Sequence, residues 1–303
     1  NVAAGLAMLK EEAALVTKLP DNPVGQAALN ELRRYGTDTT HILSGGKRLG
    51  IYYFEKGTNI RPTSVVYDRA YSAIAMAEAE EFDWEKLLEG VDLFYFSGIT
   101  PAISCEIEKT LESALMLCKE KKIQVVCDLN YRGKMWSAKD AQRVMRRLMS
   151  YVDVCIANDE DFESSLGIPA YDGDMSRGIE QIESYKEGML EIQKQFPNCK
   201  AVASVLRNLY TVEDGDWMGI YLKDGKFYES PVHKVHSFEA VGAGDAFGAG
   251  LIHAMAHDFA PQRTIDFAIS ASVLKLMIQH DANVVSEKEI EQIMKQGGTN
   301  LQR

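Results

Sequence analysis

The sequence predicts an α/β fold with a mainly parallel central sheet. From about Val91 onward, short β-rich runs alternate with amphipathic helical stretches, which is typical of parallel strands joined by helical crossovers. The β-rich runs are hydrophobic almost throughout, as expected of a sheet that is covered on both faces. With 303 residues, the chain is long enough for one large α/β domain, with or without a small appendage.

Each element of this prediction can be assigned to a stretch of the chain. The predicted strands of the parallel sheet are Leu93–Phe96, Ile123–Cys127, Val152–Ile156 and Ala201–Val205. The predicted helices cover 1–9, 104–121, 137–149, 159–166, 175–195 and 244–257. A hairpin is also predicted from 217–222 and 226–230, because the Asp224-Gly225 pair between them favours a tight turn.

Residues 41–74 follow a different pattern. The β-rich runs Leu49–Glu55 and Thr63–Asp68 are separated by a Gly- and Asn-containing segment, which predicts two antiparallel strands. We interpret 41–74 as a small β-sheet projecting from a core formed by 1–40 and 75–303. Such a sheet is either a lid that excludes water from a reaction centre, or a β-ornament or dimer contact, and spacing alone does not distinguish these.

Composition excludes several classes of protein. A net charge of -11 argues against a general nucleic-acid surface, which needs clustered Lys and Arg. The five cysteines are odd in number and show no C-x-x-C spacing, so neither a disulfide framework nor a zinc site is predicted from them. No apolar run approaches the ~18 residues that a membrane span requires. A soluble protein of the reducing cytoplasm is therefore predicted.

The stretch Ser237–Leu251 is the most informative for chemistry. Glycines precede the predicted helix 244–257, so the backbone can approach a ligand closely, and the N–H groups and dipole of the helix start favour an anion. The stretch is neither a G-x-x-x-x-G-K-S/T loop nor a dinucleotide G-x-G-x-x-G motif, because the step from Gly244 to Gly248 is four residues. It predicts a phosphate-binding turn of another kind.

Asp245 stands at the start of this helix. A lone Gly-Asp pair is more typical of a helix cap. Here the flanking glycines favour a catalytic base, because a carboxylate beside an anion-binding turn can accept a hydroxyl proton while backbone N–H groups stabilise the transferring phosphoryl group. Those N–H groups are expected from Gly242, Ala243 and Gly244, whereas Gly248 and Gly250 are interpreted as close-packing positions within the helix.

Gly242-Ala243-Gly244-Asp245 and its flanks resemble the C-terminal signature of the PfkB-type carbohydrate kinases. Four other stretches resemble the 2-keto-3-deoxygluconate kinases of that family, namely 49–52, 65–69, 97–101 and 128–132. The resemblance implies a ribokinase-like three-layer α/β/α sandwich with a small β-sheet lid. It further implies MgATP-dependent phosphorylation of 2-keto-3-deoxygluconate at its terminal, sixth-carbon hydroxyl. Alternatives are a fructokinase-, ribokinase- or nucleoside-kinase-type enzyme of the same fold, or a non-catalytic sugar- or nucleotide-binding protein.

The same resemblance implies that the sugar acid is held by Tyr52, Tyr67, Arg69, Ile99 and Arg132. Paired guanidinium groups and phenolic hydroxyls also suit a carboxylate and its neighbouring hydroxyls on chemical grounds. The alternative for each arginine is a surface ion pair.

On the phosphate side, the resemblance implies that Asn158 and Asp161 organise Mg²⁺ and the phosphates. Asp161 replaces the usual glutamate and is one methylene shorter, so its metal contact is expected through water. A capped helix with an acidic first turn is the alternative interpretation of this stretch.

Further nucleotide contacts are predicted from Gly242 and Gly244, from Arg207 and Asn208, and from Ser272 near the adenine. Glu239 stands where aspartate is typical of the family. It therefore leaves open whether a monovalent cation is needed in addition to Mg²⁺ and ATP.

Three other features concern the N-terminus, assembly and metals. Family members begin with a strand and a Gly-Gly turn before a helix like that at Asn1, so a truncated or partly missing N-terminal strand is expected. Pairing of lids predicts a homo-oligomer, a dimer or larger. His253 and His257 have a spacing compatible with a metal pair, but without an obvious third ligand they are predicted to be structural or solvent-facing.

Overall fold

The computed structural model describes residues 1–296, so the end of the predicted core segment, 297–303, lies outside the described residues. The helices are α1 Val2–Met8, α2 Pro23–Arg34, α3 Trp84–Leu87, α4 Cys105–Lys121, α5 Ala138–Leu148, α6 Asp161–Leu166, α7 Ile182–Gln195, α8 Ala243–Ala256, α9 Pro261–Leu276 and α10 Glu287–Gln296. The strands are β1 Thr17–Leu19, β2 Ile42–Ser44, β3 Ile51–Glu55, β4 Ser64–Asp68, β5 Leu93–Ser97, β6 Gln124–Asp128, β7 Val154–Ile156, β8 Ala201–Leu209, β9 Asp214–Lys223, β10 Lys226–Glu229 and β11 His233–His236.

The central sheet has seven strands. Strands β5, β6, β7 and β8 are parallel neighbours, as the alternating strand and helix pattern predicts. Strand β9 pairs antiparallel with β8, and both β10 and β11 pair antiparallel with β9. The carboxyl ends of the parallel strands therefore meet at one edge, where ligands bind in open α/β sheets.

Helices cover both faces of this sheet. On one face, α4 to α7 bury a core that includes Leu115, Met145 and Tyr185. On the other face, α1, α8 and α9 bury a second core that includes Phe247 and Ile269. The predicted three-layer α/β/α sandwich is thus confirmed. Among residues 1–296, no helix combines the length and the apolar character needed to cross a membrane.

A small antiparallel sheet stands apart from the central one, as predicted. Strands β3 and β4 pair with Tyr52 opposite Tyr67. A second small sheet joins β1 to β2 in parallel, with Thr17 opposite Ile42. The sequence did not predict this second pair, because three-residue strands carry too few positions for a periodic pattern.

The prediction of one continuous helix over 175–195 was wrong in its first part. Residues 175–177 and 179–181 form two 3₁₀ turns, and α7 starts only at Ile182. The turns pass directly over the long strand β8, where Gly178 N–H donates to the carbonyl of Arg207 at 3.1 Å. A Cβ atom at Gly178 would lie 2.4 Å from that oxygen, so the contact is open only to glycine.

Helices α8 and α9 approach each other closely at Gly250. A Cβ atom there would lie 3.0 Å from Cα of Ala268 and 3.1 Å from Cβ of Ala271. At Gly248, on the same helix, the nearest atom would be Cδ1 of Ile156 at an ordinary 3.6 Å. The absence of a side chain is therefore needed for packing at Gly250 but not at Gly248.

We expect Gly248→Ala to stabilise the fold by about 0.5–1 kcal/mol, because alanine loses less conformational entropy than glycine in a helix. Gly250→Ala should be less stable than Gly248→Ala by about 1–2 kcal/mol, because α9 must move to admit the methyl group. Urea unfolding of the two variants measures this difference. Equal stability of the two variants would contradict the close-packing role of Gly250.

Candidate active site

A cleft of about 1060 Å³ lies between the carboxyl edge of the parallel strands and the β3–β4 sheet. Nearly all the site residues predicted from the sequence line it. They are Tyr52, Tyr67, Arg69, Ile99, Arg132, Asn158, Asp161, Arg207, Gly242, Ala243, Gly244, Asp245 and Ser272. Asn208 is not among the residues that line the cleft.

Helix α8 begins at this cleft with a left-handed residue. Gly242 has φ +79° and caps the helix, and a Cβ atom there would lie 2.1 Å from the carbonyl oxygen of Asp281. Only glycine fits this position. Among the described residues, the N–H groups of Gly242 and Gly244 find no protein acceptor, whereas Ala243 N–H donates to the carbonyl of Ala240 at 3.3 Å. Two N–H groups at a helix start thus remain available to an anion.

The carboxylate of Asp245 is held in the first turn of α8, beside these N–H groups. Its Oδ2 accepts a hydrogen bond of 2.7 Å from the side-chain amide of Asn1, which precedes α1. The carboxylate is half-buried and lines the cleft. Asn1 was not predicted as a site residue, because the contact joins residues 244 positions apart.

Arg69 enters the cleft from the end of β4. Its guanidinium group lies 4.4 Å from the ring centre of Tyr67 and 5.9 Å from that of Tyr52. Within the described chain its one hydrogen-bond acceptor is the Met135 sulfur at 3.9 Å, and no carboxylate pairs with it. The surface ion-pair interpretation is therefore wrong for Arg69, whose charge is available to a ligand.

The other predicted substrate residues complete this side of the cleft. The Tyr52 hydroxyl donates to Asp281 at 3.0 Å. Partial burial and the Asp281 carboxylate raise the pKa of Tyr52 to about 12, so it stays a neutral phenol. Arg132 donates to the carbonyl of Tyr131 at 2.8 Å and, within residues 1–296, also lacks a carboxylate partner. Ile99 follows β5, and its N–H donates to the Ser97 hydroxyl at 3.2 Å.

Two buried carboxyl groups stand at the end of β6, Asp128, and at the start of α6, Asp161. Asp161 accepts N–H bonds from Tyr131 at 2.7 Å and from Asn158 at 3.0 Å, which ties together the loops after β6 and β7. Burial nevertheless raises the pKa of Asp161 to about 7, against the effect of these bonds. Burial and the neighbouring Asp161 raise the pKa of Asp128 well above its usual range.

Asp128 was missed in the sequence, although it directly follows a predicted buried strand. Its Oδ1 is buried and has no hydrogen-bond partner in the described chain. An unpaired buried carboxylate oxygen next to a second buried carboxyl group is costly unless a cation or a proton neutralises it. The oxygen-only donor set of Asp128 and Asp161 fits a hard divalent cation such as Mg²⁺.

The predicted nucleotide residues line the cleft, with the exception of Asn208. Arg207 forms an ion pair with Asp159, which also accepts the Tyr185 hydroxyl at 2.9 Å, so Arg207 is held at the cleft wall. Asn208 points away from the cleft and accepts the N–H of Ile179 at 2.9 Å. That bond anchors the 3₁₀ turns and gives Asn208 a structural contact. Ser272 is buried where α9 meets the cleft.

A buried lysine links the two loops that flank Gly242. Lys275 Nζ donates to the carbonyl oxygens of Ile278 at 3.0 Å and Glu239 at 3.4 Å. Burial lowers the pKa of Lys275. The Glu239 side chain in turn accepts the N–H of His280 at 3.0 Å. Sequence inspection missed Lys275, because one lysine in an apolar helix carries no local signal of its partners.

Three comparisons of this chain with known proteins agree with the geometry of the site. Residues 1–277 match the pfkB family carbohydrate kinases. The whole chain is 31% identical to the 2-dehydro-3-deoxygalactonokinase of Haloferax volcanii and covers 88% of it. The crystal structure of 2-dehydro-3-deoxygluconokinase from Thermotoga maritima superposes with a TM-score of 0.92 at 43% identity, over 97% of this chain and 88% of that one. The chain therefore belongs to the pfkB family of carbohydrate kinases.

Proposed function

We propose that the protein transfers the γ-phosphoryl group of ATP to the sixth-carbon hydroxyl of 2-keto-3-deoxygluconate. The observation that carries this proposal is the pair of arginines, Arg69 and Arg132, which lack a carboxylate partner within residues 1–296 and line the same cleft as Asp245. A neutral sugar offers these cations no counter-charge, whereas the carboxylate of a keto acid does. The names of the two relatives above support a sugar-acid substrate.

The epimeric acid 2-keto-3-deoxygalactonate is the second candidate substrate. The relative from Haloferax volcanii, which is 31% identical over the whole chain, carries the corresponding name. The two acids differ in configuration at one hydroxyl carbon, so the arginines that bind the carboxylate do not distinguish them.

In the proposed mechanism, Asp245 accepts the proton of the substrate hydroxyl. The bond from Asn1 orients the carboxylate of Asp245, which lines the cleft. The N–H groups of Gly242 and Gly244 stabilise the negative charge that develops on the transferring phosphoryl group. Ala243 contributes by holding the turn, since its N–H is bonded to Ala240.

The magnesium ion of MgATP is proposed to lie near Asp128 and Asp161, with Asp161 acting through water. When bound, the ion neutralises phosphate charge. Asn158 accepts the N–H of Val205 at 2.8 Å through its side-chain oxygen, which directs its amide N–H groups elsewhere, and we assign these to the phosphates. Arg207 and Ser272 are proposed nucleotide contacts, whereas Asn208 is not.

A monovalent cation is not part of the proposal. The buried ammonium group of Lys275 already supplies a positive charge to the carbonyl groups of the loops beside Gly242. The kinase assay in which tetramethylammonium replaces potassium tests this. A loss of activity in that assay would require a cation site near Glu239.

We also propose that residues 41–74 act as a lid on the core formed by 1–40 and 75–303. Tyr52, Tyr67 and Arg69 all reach from this segment into the cleft. A sheet that contributes substrate contacts would also exclude water from the phosphoryl group, which otherwise competes with the sugar hydroxyl.

Asp245→Asn should lower kcat by about a hundredfold or more, because asparagine cannot accept the proton. The KM for the sugar acid should change little, since the arginine contacts remain. A suitable control is Asp258→Asn, because Asp258 lies in the turn after the opposite end of α8. Its φ of +51° is one that asparagine tolerates. A near-normal kcat for Asp245→Asn would overturn the assignment of the base.

Arg69→Ala should raise the KM for 2-keto-3-deoxygluconate about 10- to 100-fold, because a charge-assisted contact contributes about 1.5–3 kcal/mol. The KM for ATP should stay unchanged. Arg48→Ala is the matched control, since Arg48 belongs to the same segment but forms an ion pair with Asp68 and does not line the cleft.

The substrate itself is tested with a panel of both keto acids, fructose, ribose and a nucleoside. Activity on fructose equal to that on the keto acids would overturn the sugar-acid proposal. Absence of ATP turnover with every compound would favour a non-catalytic binding protein.

We propose further that two copies of the chain pair through the outer face of the lid. Ile51, Tyr53 and Val66 point away from the cleft and are 37%, 60% and 59% exposed. Static light scattering should give the mass of a dimer, or a multiple of it, and Tyr53→Glu should reduce this mass. Met116→Glu, at an exposed position on α4 in the core, should not. A monomeric wild-type protein would contradict the proposal.

A further inference from the structure

Three side chains with metal-binding atoms meet at the end of α8 that is remote from the active site. His253 and His257 lie one turn apart near the C-terminus of α8, and Glu11 lies in the segment after α1. Oε1 of Glu11 is 2.5 Å from Nδ1 of His253 and 2.8 Å from Nε2 of His257. The fold thus places Glu11, a third side chain with a metal-binding atom, beside the two histidines, which their spacing in the sequence did not indicate.

A neutral His253 does not satisfy this cluster by hydrogen bonding alone. If Nδ1 of neutral His253 donates to Glu11, then Nε2 is an acceptor, and this buried atom has no hydrogen-bond partner in the described chain. The nearest charged group to it is another acceptor, Oε1 of Glu287, at 3.9 Å. Two acceptors then face each other in a place where His253 is only 2% exposed, which is unfavourable.

A metal ion bound at Nδ1 removes this conflict. Its presence there requires the proton of His253 to be on Nε2, which can then donate towards Glu287. A ligating histidine typically donates its other ring N–H to a carboxylate in this way, which fixes the tautomer and the ring orientation. The ring of Phe267, which stacks on His253 with 5.1 Å between centroids, limits its rotation further.

The surroundings also favour a cation. The C-terminal end of a helix carries partial negative charge, and the carboxylates of Glu11 and Glu287 add to it. His257 is half exposed and Glu11 is partly exposed, so an ion has a route from solvent. Nitrogen ligands from two histidines and one carboxylate oxygen are typical of Zn²⁺ and related transition metals, with the fourth position left to water.

We propose that Glu11, His253 and His257 form a binding site for a divalent transition metal of the Zn²⁺ class, oriented by Glu287. The site ties the segment after α1 to α8 and to the start of α10. His253 lies eight residues beyond Asp245 on the same helix, about 12 Å at 1.5 Å per residue, so the ion takes no part in phosphoryl transfer. Its role is to stabilise the packing of α8 against the segment after α1.

Titration of the metal-free full chain with Co²⁺ tests the site directly, because four-coordinate Co²⁺ absorbs visible light and hexaaquo Co²⁺ scarcely does. The wild-type protein should bind one equivalent with this absorption. His257→Ala and Glu11→Gln should each weaken binding at least about tenfold. His236→Ala is the matched control, because His236 also contacts a carboxylate, Asp214 at 2.7 Å, but has no third ligand nearby in the described chain.

A second measurement guards against misfolded variants. Zn²⁺ should raise the unfolding temperature of the wild-type protein and of His236→Ala, but not that of His257→Ala, while the metal-free forms of all three unfold at similar temperatures. MgATP-dependent kinase activity of His257→Ala should match the wild type, because the fold persists without the metal. The Co²⁺ and unfolding measurements use no substrate, so they do not depend on the proposed function. Wild-type protein without one equivalent of bound Co²⁺, or His257→Ala with undiminished binding, would overturn the site.

Discussion

The shape of the active site depends on how closely the backbone at Gly242 lies to the carbonyl group of Asp281. No Cβ atom fits between them, and the left-handed conformation of Gly242 turns the chain into α8 at that point. A larger residue would push the loop at Asp281 away and break its hydrogen bond to Tyr52. The anion-binding turn, the position of Asp245 and one contact between lid and core therefore all depend on the same steric constraint.

Four charged side chains of the cleft form no ion pairs with one another in the described chain. Asp128 and Asp161 are buried at the ends of their elements, where burial raises the pKa of each. Arg69 and Arg132 line the cleft without carboxylate partners in the described chain. Had the two groups paired with each other, neither would attract a ligand. Because they remain unpaired, these side chains suit a substrate complex that brings both a cation for the aspartates and an anion for the arginines.

Helix α8 connects two sites of different chemistry. Its start offers unpaired N–H groups and partial positive charge, and its end offers partial negative charge beside Glu11 and two histidines. Close packing against α9 at Gly250 fixes the helix between these ends. A metal ion at the far end would add to that constraint without contacting the reacting groups.

The sequence by itself determined the features that depend on neighbouring residues. The glycines before α8, the alternation of strands and helices and the two strands of the small antiparallel sheet have local patterns, and the structure contains all of them. Only the tertiary structure decided the features that depend on distant residues. Examples are the bond between Asn1 and Asp245, the bond between Asn208 and Ile179 outside the cleft, and the contact between Glu11 and His253. Such contacts depend on how the layers of the fold pack, and spacing along the chain does not indicate that packing.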